Sequence, residues 1–147
     1  GIINTLGVPE TSGTADAFAD VVALETTVES SNALSGSLAY VMRPSVKGTL
    51  KTTPTVENGT VMVWQNNSVN GYPAHSTTQL PSSVSEYGGE SPCIFGNWSD
   101  LVLGFWGALD ILVDPYTASA SGTVRIRALQ DVDIVLRHPQ SFAICYF

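Results

Sequence analysis

At 147 residues the chain has the length of one domain and enough material to bury a core without disulfide staples. Charged residues make up 13% of it and apolar ones 44%, against about 25% charge in a typical soluble domain, so serine, threonine and asparagine must coat the surface or other subunits must cover part of it. The net charge is −7 and the six cations (Arg43, Lys47, Lys51, Arg125, Arg127, Arg137) are scattered, which excludes a phosphate-tracking groove and direct nucleic-acid binding.

In chain order, residues 1–13 carry Gly7, Pro9, Ser12 and Gly13 and read as an irregular lead-in. A helix follows to about residue 29, with Thr14 as N-cap, Asp16 and Asp20 near the positive end of its dipole, and Ala17, Val21, Leu24 and Val28 as a core-facing stripe. Residues 37–42 form a short buried strand, and a second helix runs from Pro44 to about Lys51, with proline in its first turn and Lys47 and Lys51 at a solvated end. A strand is expected over 60–64, after the turn pair Asn58-Gly59. The polar passage 66–90, punctuated by Gly71, Pro73, Pro81, Gly88 and Gly89, reads as a weakly structured tip or intersubunit loop with one extended piece over 72–78.

The densest apolar stretch runs from Ile94 to Tyr116. Gly104 and Gly107 argue against a helix there, each costing about 1 kcal/mol against alanine. Two strands, 101–106 and 108–113 with a bend or bulge at Gly107, are therefore expected, near the middle of a sheet and buried on both faces or covered by a partner. A small-residue turn over 115–122 leads to two alternating strands, 123–128 and 131–136. Their charged faces set Arg125 and Arg127 against Asp131 and Asp133, across strands or between subunits. His138-Pro139-Gln140 then turns the chain into an apolar strand over 141–146.

Little of this carries catalytic chemistry. His75 and His138 have no Cys, Asp or Glu at metal-ligand spacing, no Gly-x-Ser-x-Gly elbow accompanies the many serines, and no phosphate-cradling glycine loop is present. Asp110 and Asp114 could form a carboxylate pair, but Asp114 before Pro115 reads better as a turn residue. No catalytic, cofactor or metal site is assigned, and the chain is read as a non-enzyme. Cys93 and Cys145 read as reduced, partly buried thiols. No run reaches the roughly 18 apolar residues of a membrane span, and nothing resembles a signal peptide. Asn-x-Ser/Thr sequons stand at Asn58, Asn66 and Asn97. Trp98, Phe105 and Trp106 cluster in sequence, either as core or as interface anchors.

The ordered strings Ile94-Phe95-Gly96-Asn97-Trp98-Ser99-Asp100-Leu101, the run from Gly107 to Asp114, Gly122-Thr123-Val124-Arg125-Ile126-Arg127, the run from Asp131 to Leu136 and His138-Pro139-Gln140-Ser141-Phe142-Ala143 resemble the C-terminal part of tailed-phage major capsid proteins with the HK97 fold. Upstream, Tyr40-Val41-Met42-Arg43-Pro44 before Lys47-Gly48-Thr49-Leu50-Lys51, and Asn70-Gly71-Tyr72-Pro73 with Leu80-Pro81, are similar to the family's strand, helix and "G-Y-P … L-P" passage. The resemblance implies an α+β fragment of that fold, a mixed or antiparallel sheet flanked by two or so helices, with a long β-hairpin near the C-terminus. It implies an axial-domain-like region over 1–106 and a peripheral-domain-like hairpin and return strand over 107–147, together one compact unit.

The implied function is to build, with copies of itself, the icosahedral shell of a phage or prophage that encloses DNA. Scaffold or maturation-protease partners would accompany it, no membrane would be involved, and assembly in the bacterial cytoplasm would end in the virion. Subunit-interface candidates are Trp98, Phe105, Trp106, Arg125, Arg127, Asp131 and Asp133. The family's N-terminal arm, extended loop and spine helix should precede Gly1, so this stretch is expected to fold but not to close a shell alone. A secreted β-rich adhesin module, a closed sandwich without the helix after Thr14, is the alternative; a small hydrolase would need His75 or His138 joined to a serine and a carboxylate in one pocket.

Overall fold

Strand formation at the centre of the molecule follows from two short segments in which every residue is buried, Pro92–Asn97 and Phe142–Tyr146. The computed structural model describes residues 1–84, 90–117 and 119–147. Its regular elements are β1 (Glu10–Ser12), α1 (Ala17–Ser30), β2 (Leu38–Met42), α2 (Pro44–Thr52), β3 (Trp64–Gln65), β4 (Ser68–Val69), β5 (Tyr72–Ser76), β6 (Pro92–Asn97), β7 (Leu101–Asp114), β8 (Arg125–Leu136) and β9 (Phe142–Tyr146). They fall into two units, Gly1–Leu101 with Leu136–Phe147, and Val102–Val135. The return strand β9, grouped with the hairpin in the sequence reading, thus belongs to the first unit.

In the first unit seven strands lie in the order β1-β9-β6-β2-β5-β4-β3. The sheet is mixed: β1 with β9 and β2 with β5 are parallel, whereas β6 runs antiparallel to both β2 and β9. Side chains alternate between two cores. Cys93, Phe95, Ala143 and Cys145 join Tyr40, Met42 and the helices on one side. Ile94, Phe142, Ile144 and Tyr146 meet Val8 and Leu136 on the other. At Gly96 a Cβ would stand 2.4 Å from the Ser141 carbonyl oxygen and 2.8 Å from Phe142 Cα, so only glycine lets β6 and β9 approach there.

Helix α1 buries Ala17, Val21, Leu24 and Val28, the expected stripe, and each of the larger three contributes about 1.5–3 kcal/mol of transfer free energy. Its N-cap is Asp16 rather than Thr14. The Asp16 carboxylate accepts from the Phe18 and Ala19 amides at 3.1 and 3.2 Å, while Thr14 donates through its amide and hydroxyl to buried Asp20, at 2.7 and 3.0 Å. α2 begins at Pro44 and buries Val46 and Leu50. Lys47 lies over the Trp64 ring, 4.7 Å from its centroid, rather than simply in solvent.

Residues 66–76 of the segment read as a long loop form turns and short strands. Asn66 and Asn67 (φ 48° and 59°) join β3 to β4, and Asn70 and Gly71 (φ 46° and 87°) join β4 to β5. Both are two-residue turns with positive φ at each central residue, the type I′ geometry that tight hairpins favour. The strand expected over 60–64 shrinks to Trp64–Gln65, with a single bridge from Met62 to Pro54. Residues 85–89 of the passage lie outside the described residues.

The second unit is a two-stranded sheet of β7 and β8. Residues 115–124 join the strands, a link reaching at most about 36 Å and shorter than the roughly 46 Å of β7, so the pair is an antiparallel hairpin. Each expected pair of strands is one continuous strand. Gly107 (φ 68°) sits inside β7 in a conformation that favours glycine, and the neighbouring Trp106 carbonyl accepts from the Gln130 side chain at 2.9 Å. The expected burial of β7 on both faces is overturned: almost every residue of it is exposed. The twice-covered strands are β6 and β9 instead. Asp114 is the turn residue expected, accepting from the Tyr116 and Thr117 amides at 2.9 and 3.0 Å; position 118 of that turn lies outside the described residues. An open sheet and a 14-residue helix leave no place for the closed sandwich of an adhesin module. Among the described residues no helix is long and apolar enough to cross a membrane.

Replacing Asn67 by alanine should cost about 1–2 kcal/mol, because a Cβ without a compensating amide is strained at positive φ, whereas Asn67→Gly should be close to neutral; urea unfolding of the two variants checks this. Burial pushes the Glu25 carboxyl above the usual carboxylate range, against the hydrogen bonds it accepts from Tyr40 and Asn70. Between the ordinary and the raised value the folded state holds a proton that the unfolded chain releases, so stability should fall as pH rises through the weakly acidic range. Urea midpoints across that range should show this slope, and Glu25→Gln should flatten it.

Candidate intersubunit surface

The hairpin is where this charge-poor chain puts its apolar side chains in water. On β7, Phe105 and Trp106 are 66% and 56% exposed, and as neighbours on a strand they point to opposite faces. Leu103, Leu109, Ile111, Leu112 and Val113 are exposed as well. On β8, Ile126, Ala128, Gln130, Val132 and Ile134 share one face, and Arg125, Arg127, Leu129, Asp131, Asp133 and Val135 share the other. Exposed apolar side chains gathered on one element in this way make the hairpin a candidate contact surface.

The seven residues proposed from the sequence therefore separate. Phe105, Trp106, Arg125, Arg127, Asp131 and Asp133 all lie exposed on the hairpin. Arg125 and Arg127 share one strand with Asp131 and Asp133, so the expected pairing across two strands of the hairpin is not available. Trp98 belongs to the first unit and is half-buried: its indole N–H donates to the Ala39 carbonyl at 2.9 Å and its ring meets Phe142 edge-on, with centroids 5.5 Å apart. Trp98 packs against the core cluster around Phe142.

A polar network, which the sequence did not reveal, fixes the two points from which the hairpin leaves and to which it returns. Buried Asn97 accepts from the Ser37 and Ser99 amides, both at 3.1 Å, and donates to Asp100 at 3.2 Å. The Ser141 hydroxyl donates to the same Asp100 oxygen at 2.7 Å, and the Arg137 amide donates to the Asp100 carbonyl at 2.9 Å. Asp100 thus ties residue 137 to residue 100 through its backbone and residue 141 through its side chain. The only local signal was the Asn-x-x-Asp spacing of a capped turn.

His138, Ser141 and Asp100 also line one open cleft, the combination a hydrolase would need. Ser141, however, is 2% exposed and gives its proton directly to Asp100, so no imidazole stands between nucleophile and acid. Burial pushes the Cys93 thiol well above its ordinary range and the Cys145 thiol up to about 11, leaving both unreactive near neutral pH. Among the described residues no three His, Cys, Asp or Glu side chains gather to hold a metal.

Residues 1–147 all match the phage capsid family. The chain belongs to that family. It is 30% identical over 146 residues to the major capsid protein of Halomonas phage phiHAP-1, in a match covering 98% of this chain and 23% of that protein. Among solved structures it is similar to the capsid of a native GTA particle (TM-score 0.67, 15% identity, covering 100% of this chain and 60% of that one). It is also similar to the chain from Mycobacterium phage Che8 (0.66, 14%, 93% and 52%) and to the virus-like particle from Pyrococcus furiosus (0.63, 12%, 98% and 58%). The phage capsid chain therefore has the HK97-like fold and spans less than two thirds of each of these relatives.

Truncating Phe105 or Trp106 to alanine should leave urea stability within about 0.5 kcal/mol, since neither supports a core. Trp98→Ala should cost about 2–3 kcal/mol, because it removes a ring packed on Phe142 and the hydrogen bond its indole donates to the Ala39 carbonyl.

Proposed function

We propose that this chain is part of a phage or prophage shell protein that assembles with copies of itself into the capsid enclosing DNA. The observation that carries this reading is the family match along all of residues 1–147, and the exposed apolar hairpin supports it independently. Many modest contacts, repeated under symmetry, make a shell stable even where each alone is weak. Gly1–Leu101 with Leu136–Phe147 would correspond largely to the axial domain and Val102–Val135 to part of the peripheral domain. The role is structural, with no reaction assigned. DNA would be contained rather than gripped, consistent with a net charge of −7.

Segments corresponding to the family's N-terminal arm, extended loop and spine helix would complete the subunit, and a scaffold or maturation protease would act on it in the bacterial cytoplasm before the virion forms. Electron microscopy of the full-length product, expressed with its scaffold and protease, should show closed shells. Persistent monomers under those conditions would refute the reading.

A further inference from the structure

The continuity of β8 changes what its charges can do. Arg125 and Arg127 precede Leu129 at spacings of four and two, and Asp131 and Asp133 follow it at two and four, all on one face of one strand. The signs are therefore antisymmetric about Leu129, which is itself 65% exposed. Because the hairpin sheet has two strands, β8 has β7 on one side. Among the described residues no strand pairs with its outer edge, although the Ile134 amide donates to the Asp133 carboxylate at 2.8 Å.

We propose that β8 pairs edge to edge and antiparallel with β8 of a second copy, about a twofold axis through Leu129; this rests on the shell-building reading and names one contact within it. In that register Leu129 faces its own copy, Arg127 faces Asp131 and Arg125 faces Asp133, each charge pair occurring twice by symmetry. On the other face Ile126 meets Val132, Val124 meets Ile134 and Ala128 meets Gln130. Moving the axis to Ala128 or Gln130 halves the charge pairs. Moving it to Arg127 or Asp131 sets like charges together, as does parallel pairing in register. Charges on an edge strand often serve only to repel other edges. That role needs no order of sign, whereas this order selects one partner, one direction and one register.

The test uses the full-length chain carrying Leu129→Cys, exposed to oxidised glutathione. Two introduced thiols facing each other across the axis are oxidised to one disulfide, while the glutathione disulfide is reduced to two thiols. A covalent dimer is expected. Its yield should fall at least tenfold when Arg125→Asp and Arg127→Asp, or Asp131→Arg and Asp133→Arg, are added. Mixing those two charge variants, or placing all four substitutions in one chain, should restore it. Continued protection of Cys93 and Cys145 from a thiol reagent verifies that each variant is folded. No dimer, or a dimer indifferent to the charges, overturns the pairing. Closed shells without the cross-link would refute this contact and leave the shell reading standing; a charge-dependent dimer without shells would do the reverse.

Discussion

The antiparallel pairing of β6 with β9 is the constraint on which the rest of the first unit depends. These strands have no solvated face, so every position must satisfy a ladder on its edges and a core on each side. The consequences spread outward. Gly96 has to lack a Cβ, α1 and α2 have to present narrow apolar stripes, and residues near Val8 have to cover the opposite face. Because β9 comes from the far end of the chain, the sheet closes only after the hairpin residues have been passed over.

The hairpin obeys different physics. A two-stranded sheet has no second layer to bury its side chains, and β7 and β8 are far richer in large apolar residues than a solvated ribbon requires. That excess makes sense if the side chains are covered by groups beyond these two strands. It also explains how a chain with only 13% charged residues can remain folded: the apolar surplus is concentrated in one extended element rather than spread over the surface.

What could be read in the sequence was whatever depended on local periodicity. The α1 stripe, proline at the start of α2 and the turn at Asp114 each follow from a few neighbouring residues, and the structure has them all. Burial was misread where it depends on the partners a strand finds: the most apolar run lies in solvent, and the fully covered strand Pro92–Asn97 contains a proline, a glycine and an asparagine. The turns at Asn66-Asn67 and Asn70-Gly71 were missed because the polar residues around them looked like a loop, although asparagine's tolerance of positive φ was the available signal. Of the interface candidates, the β8 residues Arg125, Arg127, Asp131 and Asp133 were placed on exposed strand faces by alternation, whereas nothing local in sequence shows that the Trp98 indole bonds the Ala39 carbonyl.

The tie between Asp100 and Arg137 has an evolutionary corollary. Since the chain is clasped at the base of the hairpin by groups belonging wholly to the first unit, substitutions between those two points leave the clasp itself untouched. A lineage could thereby vary the hairpin while keeping the first unit's architecture, much as a tool with an interchangeable head keeps the same handle.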